Sequence, residues 1–252
     1  MQNKKFKAIA FDVDGTIVQE GLYKINPEVK KAIKEIESKI EIIFATGRSA
    51  KTMRGFFNEL EISPKHLVVG GGSEVFCPNN NLLFSASIQA EKYLSIKNNF
   101  KNKINEFYIM SDSQWTSKDT DLSKIKAFGL VTKGQEFSRK VYEELVAFCP
   151  ELMITFATDE TSDNAFFIYG SEKNANKGAG LKLVLDKMNI SLSDTIAVGD
   201  SHNDIAMLEI VGLPVVMGQS PDEIKKYGKY ITSRIDERGV LDLIEKFILP
   251  HI

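Results

Sequence analysis

The chain has 252 residues, 43% of them hydrophobic and 26% charged, which is ordinary globular composition with length for one large domain or two smaller ones. A formal charge of -2 and scattered lysines offer no long-range attraction to nucleic acid or to an anionic membrane. Two distant cysteines, Cys77 and Cys149, form neither a disulfide framework nor a metal-ligand spacing, and no apolar run reaches signal-sequence or membrane-spanning length, so a reducing cytoplasm is expected.

The first apolar run, AIAF (8–11), reads as a strand leading into Asp12, Val13, Asp14 and Gly15. On the strand period of two, Asp12 and Asp14 point to one side and Val13 to the other. Carboxylates so close repel, so the pair needs a proton, a cation or a sharp turn. Taken alone, the stretch also fits a plain Asp-Gly turn with Thr16 or Asp14 capping the next segment. Asn26, Pro27 and Glu28 then form a helix start, and Val29, Ile33, Ile36 and Ile40 recur at helical spacing. IEIIFATGR (40–48) is a strand ending in Thr46, Gly47 and Arg48; a helix is expected over 50–60, and HLVVGGG (66–72) is another strand and turn. This alternation predicts a parallel sheet with helices on its faces, whose strand carboxyl ends gather ligands.

The pattern changes after a hairpin-like SEVFCPNNNLLFS. A helix from about Gln89 to Phe100, strands EFYIMS and IKAFGLVT, a helix from Gln135 to Phe148 with Phe137, Val141, Leu145 and Phe148 on one face, and strands LMITFAT and NAFFIYG give αββ twice. Strands joined without helices indicate an antiparallel sheet. Residues 83–172 are therefore expected to form an α+β domain inserted into a discontinuous α/β core made of 1–82 and 173–252. The core pattern resumes with a helix over KGAGLKLVLDKM (177–188), the strand TIAVGD (195–200) and the short strand LPVVMG (213–218).

GDSHNDIAML (199–208) places Asp200 at a strand end and Asp204 four residues on. Alone it also reads as a helix start capped by Asn203 or Asp204. In a parallel sheet, however, Asp200 and Asp204 open on the same edge as Asp12 and Asp14. Four uncompensated carboxylates around one crevice are unfavourable by several kcal/mol. A divalent cation is the remedy, and an oxygen-only donor set favours Mg2+ over zinc. The Thr46 hydroxyl, loop amides near Gly15 and Gly47, and Lys177 would bind phosphate oxygens, which makes a phosphoryl-transfer site. Metal contact keeps Asp12 ionised for attack on phosphorus. Asp14, off the metal through its side chain, carries the proton for the leaving oxygen and later activates water.

FDVDGT, ATGR, the Lys177-Gly178 pair and GDSHND, in that order, resemble the four motifs of the haloacid dehalogenase (HAD) superfamily of phosphohydrolases, and the insertion between the second and third is similar to the type IIB cap of its Cof-like branch. The resemblance implies a Rossmann-like core with an antiparallel cap, and a phosphatase acting on a small phosphorylated metabolite. It implies Asp12 as nucleophile, Asp14 as acid/base, Thr46 as phosphate ligand and Lys177 as its charge partner. Mg2+ would be held by Asp12, the Asp14 main-chain carbonyl and Asp200, with Asp204 supporting it directly or through water, and Asn203 would touch phosphate. One departure stands out: Gly71 occupies the place of the family's asparagine in Asn-Gly-Ala. A nucleotide-binding reading of that glycine run fails because GxGxxG requires glycine where Val75 stands.

Arg48 reads as an anion ligand or a salt-bridge partner, His202 as a surface residue, and Trp115 as a packed indole rather than a substrate contact. Specificity is expected in cap loops near 111–121 and 158–164. A phosphomutase shares FDVDGT and a similar cap, but Thr-Gly-Arg is more hydrolase-like. A phosphoacceptor module needs neither Asp14 nor a cap.

Overall fold

The computed structural model describes residues 5–19, 24–63, 65–118, 122–159 and 165–251. Its strands are β1 (Ala8–Phe11), β2 (Glu41–Ala45), β3 (His66–Val69), β4 (Glu74–Phe76), β5 (Leu82–Ser85), β6 (Glu106–Ser111), β7 (Gln114–Thr116), β8 (Ala127–Lys133), β9 (Leu152–Asp159), β10 (Ala165–Glu172), β11 (Thr195–Gly199), β12 (Leu213–Val216) and β13 (Tyr230–Ile231). The helices are α1 (Pro27–Ile36), α2 (Ala50–Leu60), α3 (Ala90–Phe100), α4 (Gln135–Phe148), α5 (Lys177–Met188), α6 (Ile205–Leu208), α7 (Asp222–Lys225) and α8 (Val240–Phe247).

The strands make two sheets, ordered β13-β12-β11-β1-β2-β3-β4-β5 and β7-β6-β8-β10-β9. In the first, every pairing from β13 to β3 is parallel, and the β4–β5 hairpin adds two antiparallel strands at the edge. Both faces are covered. Along β1, Ile9 and Phe11 face α1, α2 and α8, while Ala8 and Ala10 face α5 and α6. Phe44 of β2 packs on Phe11, Phe56 and Phe57 with ring centroids 6.1, 5.4 and 5.6 Å away. Truncating such a buried ring costs about 3–5 kcal/mol, so this cluster fixes where the β2–α2 loop emerges.

In the second, wholly antiparallel sheet, one face packs on α3 and α4 through Ile109, Phe128, Leu130, Ile154 and Ile168. The result is the expected mixed α/β fold: a parallel-sheet core with an antiparallel-sheet cap. Three details differ from the sequence reading. The boundary expected at 82/83 falls inside β5, which pairs with β4 in the core sheet. The cap gains β7, a short hairpin partner of β6. On α4, Val141 and Leu145 are buried, but Phe137 and Phe148 are 46% and 38% exposed. Ser138 is buried there instead, accepting from the Thr132 hydroxyl at 2.7 Å. Of the expected specificity loops, residues 119–121 and 160–164 lie outside the described residues.

Candidate active site

β1 lies between β11 and β2, so connections leave it in opposite directions and a crevice opens at the strands' carboxyl ends. Asp12 follows β1 directly and is 4% exposed. The chain then turns: Gly15 N–H donates to Val18 O at 2.8 Å, and Ile17 and Val18 donate to Val13 O at 2.9 Å. Gly15 has φ +80°, and a Cβ there would stand 2.3 Å from Asp200 Oδ2. Only glycine lets this turn lie against the Asp200 carboxylate, which arrives from the end of β11. Of the loop amides near Gly15 expected to meet phosphate, the Gly15 amide itself is bonded to Val18 O.

Lys177 is the first residue of α5, set there by Asn176, whose side chain caps the helix by accepting from Ala179 N–H at 2.9 Å. The lysine is 1% exposed. Its ammonium donates to Asp12 Oδ1 at 2.6 Å, Asp204 Oδ1 at 2.7 Å and Asn203 Oδ1 at 3.0 Å, which matches three donors with three acceptors. Burial alone would lower its pKa, but Asp12 and Asp204 outweigh burial and hold it above the usual lysine value. Burial, joined by the charge of Asp204, pushes Asp12 up to about 7 against the pull of Lys177.

Asp204 is fully buried, and its other oxygen accepts from Asp200 N–H at 2.9 Å and Ser201 N–H at 3.0 Å. Both of its oxygens are therefore engaged within the protein. Asp204 ties the lysine to the loop that carries Asp200.

β1 ends at Phe11, so the period-two argument stops short of Asp14 and the two carboxylates part. Asp14 faces Arg48, whose Nη2 and Nε lie 2.6 and 2.9 Å from its Oδ1 and Oδ2. It stays close enough for its charge to add to the rise at Asp12. Of the two readings for Arg48, the salt bridge is the one observed. Thr46 is fully buried at the end of β2, and its hydroxyl oxygen accepts from Arg48 N–H at 3.0 Å, which leaves its own proton for another acceptor.

One ligand oxygen from each of Asp12, Asp200 and Asp204 lies within 4.8 Å of the others. Around the crevice, Lys177 is ion-paired with Asp12 and Asp204 and Arg48 with Asp14, and Asp200 brings a fourth carboxylate beside them. The donor set is hard oxygen. Charge and chemistry both fit a divalent cation.

Gln219, beyond the end of β12, escaped the sequence reading. Its amide donates to Gly15 O at 2.6 Å and accepts from Ile235 N–H at 3.0 Å, holding the Asp12–Gly15 turn from behind. The rule that singled out Asp12, Thr46 and Asp200 covers it, since it too follows a parallel strand. His202 is exposed, as expected, beside Glu223 at 2.8 Å. Trp115 lies partly buried between cap and core, its indole N–H donating to Gly47 O at 3.1 Å. Gly71 has φ +64°, and a Cβ there would stand 2.8 Å from the Tyr169 ring, so this cap residue fills the space that a side chain at position 71 would need.

Its family and its relatives make the chain a phosphoric monoester hydrolase. The haloacid dehalogenase-like hydrolase family profile matches residues 9–144 and 123–244, and the chain belongs to that family. It is 32% identical over 251 residues to a 5-amino-6-(5-phospho-D-ribitylamino)uracil phosphatase of Bacillus subtilis, covering 96% of each chain. It is 24% identical to an HMP-PP phosphatase of Yersinia pseudotuberculosis, covering 98% of this chain and 97% of that one. Among solved structures, a HAD subclass IIB sugar phosphatase superposes with a TM-score of 0.77 at 18% identity, over 95% of this chain and 98% of the other. Among the described residues, no helix is long and apolar enough to cross a membrane.

Proposed function

We propose that the chain is a Mg2+-dependent phosphatase that hydrolyses a small phosphorylated metabolite through an aspartyl-phosphate on Asp12. The observation that carries this reading is the buried Asp12–Lys177–Asp204 cluster beside Asp200, at the carboxyl edge of the parallel sheet. Mg2+, when held by Asp12, the Asp14 main-chain carbonyl and Asp200, supplies positive charge for the phosphate oxygens.

The Asp12 carboxylate attacks phosphorus as the bond to the leaving oxygen breaks, and the Asp14 carboxyl gives that oxygen its proton. Arg48 must release one Asp14 oxygen for this, and the incoming phosphate dianion is its competing partner. Asp14 then takes a proton from water, which attacks phosphorus, breaks its bond to Asp12 and frees inorganic phosphate. The Thr46 hydroxyl, the Gly47 loop and Asn203 hold the non-bridging oxygens, and Lys177, bonded to Asp12, supplies positive charge beside them. Asp204 acts by fixing Lys177.

The unit inserted between the two parts of the core, which on sheet membership begins after Ser85, would close over the crevice, exclude water and select the leaving group. The substrate named for the B. subtilis relative carries its phosphate on a ribityl chain, which supports a phosphorylated polyol or sugar here. Two free cysteines support a cytoplasmic location.

The test is phosphate release from an aryl phosphate and from a panel of sugar and polyol phosphates, with and without Mg2+. Release that requires Mg2+ and disappears in Asp12→Asn is expected. Turnover in that variant, or an isomerised sugar phosphate in place of free phosphate, contradicts the reading.

A further inference from the structure

We propose that Trp115 is a positioning residue through which the cap completes the phosphate-binding loop Thr46–Gly47–Arg48; the inference rests on the phosphatase reading for that loop's role. The loop presents three carbonyls. Two are held by the core itself: Gly71 N–H donates to Thr46 O at 2.9 Å, and Gly70 N–H donates to Arg48 O at 2.8 Å. The middle one, Gly47 O, accepts from the Trp115 indole N–H of β7 at 3.1 Å. Gly47 has no side chain to pack, and nothing lies within 4 Å of where its Cβ would stand.

That carbonyl belongs to the same rigid peptide plane as Arg48 N–H, which donates to Thr46 Oγ1 at 3.0 Å. Tilting the plane would break both bonds at once. The Thr46 hydroxyl would lose the contact that turns its proton outward, and the Arg48 side chain, bidentate on Asp14, would shift with its backbone. One peptide unit thus links the cap to an expected phosphate ligand and to the expected acid/base.

The indole is itself held in place. Its Cζ3 lies 3.8 Å from where a Gly129 Cβ would stand, so the bare strand β8 makes room for it. It meets Tyr169 edge to face, with centroids 5.5 Å apart at 69°. Tyr169 in turn covers Gly71 and donates through its hydroxyl to Gly70 O. Beside them, Lys51 N–H donates to Ser113 O at 3.2 Å and Lys51 Nζ to Gln114 Oε1 at 2.8 Å, seating the β6–β7 turn on α2.

Trp115 is the chain's only tryptophan, so its emission reports this contact alone. Wild-type protein is titrated with inorganic phosphate in the presence of Mg2+. A saturable change in emission is expected. Trp115→Phe keeps an aromatic ring on β7 and removes the donor; its phosphate affinity and its kcat on an aryl phosphate should each fall about tenfold while the variant still unfolds cooperatively. Unchanged emission in the wild type, or a folded variant with wild-type affinity and kcat, overturns the proposal. If the variant does not fold, the wild-type titration decides alone. A wild type that binds phosphate without turnover defeats the phosphatase reading and leaves the titration to decide; one that binds none defeats both.

Discussion

Lys177→Met keeps an aliphatic stem in a slot that is 1% exposed and removes the ammonium. The variant loses bonds of 2.6 Å to Asp12 and 2.7 Å to Asp204, whose side chains are 5% and 0% exposed. Each charged hydrogen bond is worth about 1.5–3 kcal/mol, and breaking a buried pair by removing one partner costs about 3–5 kcal/mol, because the carboxylate left behind has no counter-charge. We expect the free energy of unfolding, from urea titration in chelator at neutral pH, to drop by about 3–5 kcal/mol, a large share of the ~5–15 kcal/mol of a typical domain. Phosphatase activity should vanish. Adding Asp204→Asn removes one stranded charge, so the double variant should regain about 1–2 kcal/mol without regaining activity. A loss below about 1 kcal/mol in the single variant, or a double variant less stable than it, would refute the charge argument.

Two further outcomes follow from the seam between cap and core. Glu74 is 4% exposed, accepts from Ser113 Oγ at 3.2 Å through Oε1, and buries Oε2 without a hydrogen-bond partner among the described residues. Burial raises its pKa, so the folded form holds its proton more tightly than the unfolded one, and wild-type stability falls as pH rises from the unfolded value through the folded value. Glu74→Gln should therefore be about 1 kcal/mol more stable than wild type near pH 8 and no more stable near pH 4 by urea unfolding; an equal gain at both would contradict this. Gly71→Asn would bring a Cβ to 2.8 Å from the Tyr169 ring. It should cost about 1–3 kcal/mol, by thermal or urea unfolding, and much of that loss should disappear in a Tyr169→Ala background.

The core was legible because its signals are local. Asn26-Pro27 starts α1 and α2 runs over 50–60 as expected, and the alternation of apolar strands and helices implied the parallel sheet. Asp12, Thr46 and Asp200 could be named because each stands at the end of a strand, and Lys177 because of its place in the order of the motifs. The partners of Asp14 and Gly15 could not, because Arg48 and Gln219 reach them across 34 and 204 residues of chain. Nor does spacing show that both Asp204 oxygens are bonded within the protein, or that Trp115 meets Gly47 across 68 residues. On α4, helical spacing included Phe137 and Phe148 in the buried face, but they stand near opposite ends of the helix and stay partly exposed, while Val141 and Leu145 between them are buried.

The central claim is that Asp12 forms a covalent bond to phosphorus. Enzyme mixed with a phosphate-labelled substrate in the presence of Mg2+, quenched in acid during turnover and digested, should carry the label on the peptide containing Asp12, and Asp12→Asn should carry none. Label on another residue, or turnover with no labelled protein at any quench time, would contradict the account.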